Sequence, residues 1–377
     1  MSQSDYSPRQ DPKKIIAVVL IIVVIGVSVY GILTWPKPKF RVYTYDSFMA
    51  WGPNPDEIDD QVFSGFEEEY GIDVQIERLQ TDASGIISRL VAEKENPVAD
   101  VVIGIDNILI LREDTKTVLE PYVPPNLQES LENTSLDLVN ALDPEHYVVP
   151  FDYGLVTLIY SMANMNVTTH PQLANLTFSN LAEMASSLVT ENPQMSSPGL
   201  SFLLSEIAVQ EKLKEEDWTD WWTQVRDDIN VQEGWSEAWS KWDSDESRSL
   251  LVSYGTDPAY SAYMSETEPS TGVAPIVHNN QEYAWVQIEG MGIVKGGPHP
   301  DLAREFIQYC LTGNVQSHIA VNQWMYPVNG SVELEPAFQY ALHPDEINML
   351  NNLLTRNETA TNLESWLDEW ENIMTAA

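Results

Sequence analysis

The stretch FRVYTYDSF (40–48) alternates β-branched and aromatic residues before turn-forming ones, which predicts a strand that runs into a turn. DEIDDQVFSGFEEEYG (56–71) has apolar residues at helical spacing and ends in a glycine, so it predicts a helix. IDVQIERL (72–79) predicts a second strand, ASGIISRLVAEKE (83–95) a helix, and ADVVIGID (99–106) a short apolar strand. This alternation predicts βαβ units and a mainly parallel sheet, hence an α/β fold.

The same alternation continues in a second block, which starts near YVVPFDYGLVTLIYS (147–161) and extends to about residue 275. Beyond it, YAWVQIEGMGIV (283–294) is interpreted as a strand pair and HPDLAREFIQYCLTG (299–313) as an amphipathic helix. The tail over residues 344–377 is predicted to be largely helical. Ligands of such sheets bind beyond the carboxyl ends of the strands, where loops and helix N-termini gather.

An uncharged apolar run, residues 15–35, stands near the start of the chain. About 21 helical residues at ~1.5 Å each span the ~30 Å hydrocarbon core of a bilayer, which predicts a transmembrane anchor. Residues 1–14 are then a short cytoplasmic tail, residues 36–40 a linker, and the rest of the chain faces outward. A cleavable signal peptide is the alternative, although its apolar region would be shorter and followed by a small-x-small cleavage site.

The composition is strongly acidic. The chain of 377 residues has 19 Lys+Arg against 57 Asp+Glu, a net charge of −38, so it would be repelled by phosphate backbones and no nucleic-acid partner is expected. The acidity indicates either a surface hydrated in salty or extracellular water or a cationic ligand, and composition leaves both open. The single cysteine, Cys310, excludes an internal disulfide and a cysteine-based metal cluster.

Aromatic residues in Gly/Pro-rich turns are the most informative candidates for a binding site. The faces of Trp and Tyr rings bind cations at ~0.5–2 kcal/mol each, so several rings with a carboxylate could hold a flat organic cation. For any single ring, packing in a core or an interdomain seam is the alternative. The six residues are Tyr45, Trp51, Trp235, Tyr254, Tyr260 and Trp324.

Three polar residues stand where a strand or turn enters a helix. Asp82, in LQTDASG, is either a helix cap or a contact for a ligand. Ser196 and Ser197, in MSSPGL, either cap a helix or belong to a site whose backbone N–H groups hold an anion or a hydroxyl.

Catalytic and metal-binding patterns are missing from the sequence. The six histidines show no metal-ligand spacing, and no nucleophile elbow, phosphate loop or dinucleotide fingerprint occurs. Cys310 lies in the predicted helix 299–313 and is interpreted as a small buried apolar residue. The sequence therefore predicts no enzyme, no catalytic residue, no metal and no cofactor.

Eight short motifs, colinear from about residue 41 to the end, resemble the thiamine-binding proteins of ABC importers. They are VYTYDSF (42–48), WGPNP (51–55), ADVVIGIDN (99–107), VPFDYG (149–154), SSPGL (196–200), GWSEAW (234–239), SYGTDPAY (253–260) and NQWMYPV (322–328). The resemblance implies the type II periplasmic-binding-protein fold. Its two α/β lobes would be residues 41–148 with 283–377 and residues 149–282, joined by a hinge that closes around the ligand.

The resemblance also implies a ligand site. The six aromatic residues match positions that box the thiazolium and pyrimidine rings of thiamine. Asp82 and Ala83 match a segment that contacts the ligand, Ser196 and Ser197 a polar pair on the other lobe. The segment Tyr254, Gly255, Thr256 and Asp257 matches one near the hydroxyethyl or phosphate end, where the anionic Asp257 would disfavour phosphate esters.

The function that the resemblance implies is capture of thiamine, with its phosphates as further candidates. The receptor would be monomeric, tethered to the cell membrane by its single N-terminal helix, with its acidic body outside. It would deliver thiamine, as transported ligand rather than cofactor, to an ABC permease powered by its ATPase. A polyamine or ferric iron on the same fold is the alternative. A thiaminase-like enzyme would have only Cys310 as nucleophile, and the 14-residue tail leaves no room for a sensor's signalling domain.

Overall fold

A mixed sheet runs through the part of the chain that a computed structural model describes, residues 37–81 and 83–376. The strands there are β1 (Lys39–Thr44), β2 (Asp73–Arg78), β3 (Val101–Asp106), β4 (Leu119–Glu120), β5 (Val149–Ser161), β6 (Leu188–Glu191), β7 (Asn230–Gln232), β8 (Leu250–Tyr254), β9 (Thr271–Ala274), β10 (Ile276–His278), β11 (Gln281–Val294), β12 (Tyr326–Pro327) and β13 (Asn348–Met349). Their main order is β2-β1-β3-β11-β5-β8-β6-β7, and the short strands β4, β9, β10, β12 and β13 pair with β5 or β11.

Helices connect these strands. The α-helices of the described residues are Ile58–Tyr70, Ala83–Glu93, Glu113–Thr117, Leu127–Ser130, Leu138–Leu142, Phe178–Ala182, Ser197–Ile207, Trp218–Val225, Trp235–Ser244, Asp257–Ser265, Pro300–Cys310, Gly313–Gln316, Ile319–Asn322 and Arg356–Thr375. Short 3₁₀ turns and one π-helical segment, Ala208–Lys214, complete the set. The mixed α/β fold predicted from the sequence is confirmed.

The two ends of the sheet are parallel and its centre is antiparallel. Strand β1 pairs in parallel with β2 and β3, and β6 pairs in parallel with β7 and β8, as βαβ units require. Between them, β11 runs antiparallel to both β3 and β5, and β5 runs antiparallel to β8. The prediction of a mainly parallel sheet is therefore wrong for the centre of the sheet. There the two long strands β5 and β11 lie between the parallel sections and pair antiparallel with their neighbours.

Strand β11 is a single element of 14 residues rather than the expected strand pair. Its two glycines mark close approach of neighbours: a Cβ at Gly290 would lie 2.8 Å from Val148, and one at Gly292 would lie 2.9 Å from the Tyr147 carbonyl oxygen. A β-bulge at Gly290 shifts the register without ending the strand.

Local sequence determines where one predicted helix ends, whereas pairing with a distant strand prevents another predicted helix from forming. The helix Ile58–Tyr70 ends at Gly71, whose φ of 65° is the left-handed conformation expected of a helix-terminating glycine. The helix predicted over residues 344–354 is absent, because Met349 pairs with Ala284 of β11 and the Asn351 amide bonds the Val286 backbone. The tail is helical only over Arg356–Thr375.

Several predictions fall on residues that the structure does not describe. The anchor over residues 15–35, the tail before it and the contact residue Asp82 lie outside the described residues. Within residues 37–81 and 83–376, no helix combines the length and the apolar character needed to cross a bilayer.

The helix Ser197–Ile207 is buried along its whole length and includes an acid, Glu206. Burial raises the pKa of the Glu206 carboxyl well above its ordinary value, although the polar side chains of Gln210 and Trp222 and the charge of Lys214 oppose the rise. The folded protein therefore holds a proton at Glu206 under conditions in which the unfolded chain has lost it.

Glu206→Gln is expected to make the protein more stable at alkaline pH. Because the folded-state pKa of Glu206 is raised, its contribution to stability is fully present below the unfolded pKa and is lost as pH rises through the folded one. The amide has no proton to lose, so its melting temperature at pH 8 should exceed that of the wild type by at least about 2 °C, with the gap closing toward pH 5. Thermal melts of both proteins across this range measure the gap.

The control is Glu369→Gln, which removes an exposed acid from the C-terminal helix. It should follow the wild-type curve. Parallel melting curves for Glu206→Gln and the wild type would contradict the assignment of a proton to Glu206.

Candidate functional site

A cavity lies beside β11, which contributes Gln287 and Glu289 to its lining, and at the ends of β1 and β8, where Tyr45 and Tyr254 stand. Its empty space, counted together with the open solvent at its mouth, is about 690 Å³. The lining residues that were singled out in the sequence are Tyr45, Trp51, Ala83, Ser197, Trp235, Tyr254, Asp257, Tyr260 and Trp324. The structure thus brings all six predicted aromatic residues together.

Three of the predicted contact residues do not line this cavity. Ser196 is buried just before the helix Ser197–Ile207. Gly255 donates its N–H to the Leu155 carbonyl oxygen, and a side chain there would meet Leu342. The buried Thr256 hydroxyl donates to the Trp324 carbonyl oxygen at 2.6 Å. The Thr256 hydroxyl is therefore engaged by the protein, and the Ser196 side chain is buried outside the lining.

The aromatic wall of the cavity is built around Trp51. Its ring lies edge-on to those of Trp235, Trp239 and Tyr260, with centroid distances of 5.0, 5.6 and 5.8 Å. Trp239 was missed in the sequence, although Trp235 and Trp239 stand four residues apart and therefore share a face of the helix Trp235–Ser244. All four rings are only partly buried.

Trp324 holds one side of this wall in place. Its indole Nε1 donates to the Trp51 carbonyl oxygen at 3.0 Å, and its ring stacks on Phe338 at an interplanar angle of 9°. Its φ of 56° is left-handed, which is unfavourable for a bulky residue and is maintained only by the surrounding packing. Trp235 is fixed differently, because its Nε1 donates to the Ser253 hydroxyl at 3.0 Å.

The buried carboxyl group of Glu289 lies on the floor of the cavity, and that of Asp152 lies beside it, outside the lining. Glu289, on β11, accepts hydrogen bonds from the Tyr45 hydroxyl at 2.6 Å and the Gln287 amide at 3.2 Å, and Gln323 donates to that same hydroxyl. Asp152 is the cross-strand partner of Glu289 on β5, and neither of its side-chain oxygens has a hydrogen-bond partner in the described residues. Burial, and then the charge of Glu289, raise the pKa of Asp152 well above its ordinary value.

These floor residues were not singled out in the sequence. Gln287 and Glu289 are polar residues two apart in an otherwise apolar run, so they point to the same face of the strand. That spacing is the signal that could have found them. Gln323 stands beside the predicted Trp324, in the turn after the helix Ile319–Asn322.

Asp257 is the second carboxyl group of the lining, after Glu289. It is the first residue of the helix Asp257–Ser265, and its Oδ2 accepts the Tyr254 N–H at 3.3 Å. Burial raises its pKa to about 7, against the opposing hydrogen bonds of Ser253 and Tyr254. No Lys, Arg or His is among the described residues that line the cavity, so rings and carboxyl groups together suit an organic cation.

The described residues form neither a metal site nor a reactive cysteine. Among residues 37–81 and 83–376, no group of three or more His, Cys, Asp or Glu is arranged to hold a metal ion. Cys310 is fully buried and lies outside the cavity lining, and burial raises the pKa of its thiol well above the ordinary value. A protonated, inaccessible thiol is unsuited to nucleophilic attack.

Comparison with known proteins agrees with this architecture. The family described as bacterial extracellular solute-binding protein matches residues 52–314, more than half of the chain. The chain belongs to this family. The thiamine-binding periplasmic protein of Escherichia coli (strain K12) is 30% identical over 344 residues, covering 89% of this chain and 93% of that protein. The sequence resemblance to the thiamine-binding proteins of this family is confirmed.

Solved structures give the same family. A periplasmic thiamin binding protein matches with a TM-score of 0.72 and 27% identity, over 90% of this chain and 97% of that one. A ferric binding protein from Campylobacter jejuni matches with a TM-score of 0.67, over 89% of this chain and 99% of that one, but at 18% identity it indicates the fold alone. The relatives are solute-binding proteins, and this solute-binding protein is likewise not an enzyme.

Proposed function

We propose that this solute-binding protein captures thiamine outside the cytoplasm and delivers it to the permease of an ABC importer. The observation that carries the proposal is the cavity itself, in which partly buried aromatic rings face buried carboxyl groups and no basic side chain is present among the described lining residues. Thiamine has a permanently charged thiazolium ring and a flat pyrimidine ring. The description of the Escherichia coli relative supports this choice among organic cations.

The thiazolium ring would lie against the faces of Trp235 and Tyr260, with its charge above the floor at Glu289. In the structure Trp51 already touches both of these rings, so a flat ligand can enter only when Trp51 withdraws. We propose that two lobes, residues 41–148 with 283–377 and residues 149–282, separate for this purpose. Strands β5 and β11, which cross between the parallel sections, would act as the hinge.

The delivery steps belong to the same proposal. The apolar run over residues 15–35 would tether the receptor to the cell membrane as a single-pass anchor, with the acidic body outside. A monomeric closed form would then dock on the permease, and the ATPase on the cytoplasmic side would supply the energy. The net charge of −38 would keep the exposed receptor hydrated and weakly attract cations.

Fluorescence titration of the full chain with thiamine tests this function. Because Trp51, Trp235 and Trp239 line the cavity, saturable binding should change the tryptophan emission, with a Kd of about 10 μM or lower, worth at least ~7 kcal/mol. Competition with putrescine and with ferric iron separates the alternatives. Displacement of thiamine by either of them at an equal concentration, or no fluorescence change with thiamine, would overturn the proposal.

Thiamine affinity is expected to rise with pH between about 6 and 8. The pKa of Asp257, which lines the cavity, is about 7, and the pKa of Asp152, the buried cross-strand partner of Glu289, is raised, so Asp257 is largely neutral at pH 6 and Asp152 favours its neutral form. A bound cation favours ionised carboxylates, and by linkage, ionised carboxylates favour the cation. Calorimetric Kd values at pH 6, 7 and 8 should fall in that order, with proton release detected by comparing two buffers. A Kd that does not change, or that rises with pH, would contradict this coupling.

A further inference from the structure

We propose that Gln287 selects the solute by an exocyclic amino group, because this side chain lines the cavity and its buried amide oxygen has no hydrogen-bond partner among the described residues. This inference rests on the proposed function and deepens it, since thiamine has such an amino group on its pyrimidine ring. Gln287 would then be a specificity-determining residue, which distinguishes thiamine from flat cations of similar shape that lack the donor.

The orientation of the Gln287 amide is fixed by its neighbours. Its Nε2 donates to Glu289 Oε1 at 3.2 Å, and an ionised carboxylate can only accept, so the amide nitrogen has to face Glu289. Glu289 in turn accepts the Tyr45 hydroxyl at 2.6 Å. Burial raises the pKa of Tyr254 well above its ordinary value, and the Gln287 amide opposes that rise, as an N–H donor does. The N–H groups of Gln287 are thus directed at the protein, and its oxygen is the group that remains.

This amide oxygen, Oε1, is a buried acceptor that lacks a donor. The cross-strand partner of Gln287 on β5 is Gly154, which has no side chain to donate, and no other group of the described residues bonds to Oε1. Burying an unpaired acceptor is unfavourable, and an apolar residue at this position would avoid the cost. Because Gln287 lines the cavity, a bound solute can supply the missing donor.

An amino group on a flat ring is the donor that suits this position. In thiamine one methylene group joins the aminopyrimidine to the thiazolium ring. A thiazolium ring above Glu289 therefore leaves the amino group close to Gln287, which is two residues away on the same face of β11. A ring carbonyl in place of the amino group would set one acceptor against another, and such a mismatch is rejected more strongly than a difference in apolar shape.

Calorimetry of the full chain at pH 8 with thiamine, oxythiamine and pyrithiamine tests the inference. Oxythiamine has a ring carbonyl in place of the amino group, whereas pyrithiamine keeps the aminopyrimidine and has another flat cation in place of the thiazolium. The wild type should bind oxythiamine at least about 30-fold more weakly than thiamine, and pyrithiamine within about 5-fold of it. Binding of oxythiamine within about 5-fold of thiamine would overturn the inference and leave the proposed function intact, whereas absence of thiamine binding would overturn both.

Gln287→Met removes the acceptor and keeps the length of the side chain. Its affinity for thiamine should fall by about 10-fold or more and its affinity for oxythiamine by less than about 3-fold, so that the discrimination between them drops to about 5-fold or less. Gln287→Leu provides the same comparison if the methionine variant does not fold. The matched control is Gln281→Met, which changes an exposed glutamine on the same strand and should keep the wild-type ratio. A folded variant at position 287 that keeps the wild-type ratio would overturn the role of Gln287.

Discussion

Replacing Trp235 with alanine is expected to weaken thiamine binding by about 30-fold or more. The indole contributes a face to the cation, and a desolvated cation–π contact is worth ~2 kcal/mol, which at ~1.4 kcal/mol per tenfold corresponds to this loss. The ring is only partly buried and is held by one hydrogen bond to Ser253, so its removal should leave the fold intact. Calorimetric titration of the full-length variant measures the Kd.

Trp242→Ala is the matched control, because Trp242 lies on the same helix, Trp235–Ser244, but does not line the cavity. It should keep the wild-type Kd within about 2-fold. Equal losses in the two variants would mean that the helix, rather than the aromatic face, is responsible. Trp324→Ala would be a poorer test, since this indole also holds the Trp51 backbone and stacks on Phe338.

Replacing Glu289 with glutamine is expected to weaken thiamine binding by roughly 30- to 150-fold. The change keeps the side chain's shape and an oxygen that can accept the Tyr45 hydroxyl, but it removes the charge beneath the cation. Charge-assisted interactions of this kind are worth about 2–3 kcal/mol when buried. The measurement is again the Kd of the full-length protein at pH 8, by calorimetry.

Thermal stability gives an independent readout for the same variant. Removing an ionisable group from a buried pair with Asp152 should leave the melting temperature unchanged or raise it, because like carboxylates repel. Glu282→Gln, an exposed acid on the same strand, is the control and should change neither quantity. If Glu289→Gln binds thiamine as the wild type does, the floor has no role in holding the cation.

Local sequence patterns were sufficient to predict the first part of the fold. Strands β1, β2 and β3 and the helices between them depend on periodicity within a dozen residues, and the end at Gly71 depends on one backbone conformation. The antiparallel centre of the sheet could not be predicted from local patterns, because β5 and β11 pair although more than a hundred residues separate them in the sequence. Residues 344–354 were mispredicted for the same reason, since their partner strand decides their conformation.

The residues of the site also differ in how far the sequence could predict them. Trp51 and Tyr260 could be singled out because large rings are unusual in Gly/Pro-rich stretches, and both line the cavity, although Tyr260 lies within the helix Asp257–Ser265 and not in a turn. Glu289 could not be singled out from the sequence. Its role depends on its pairing with Asp152, which lies on a strand that is distant in the sequence. Thr256 was included as part of the matched segment Tyr254 to Asp257, but in the structure its hydroxyl donates to the Trp324 carbonyl oxygen.

The most direct measurement is a crystal structure of the full chain grown with saturating thiamine. The thiazolium ring should lie between the rings of Trp235 and Tyr260, with Glu289 beneath it and Trp51 moved from its present contact with both rings. Thiamine bound elsewhere on the protein, or a cavity in which Trp51 keeps these contacts at saturating thiamine, would contradict the account.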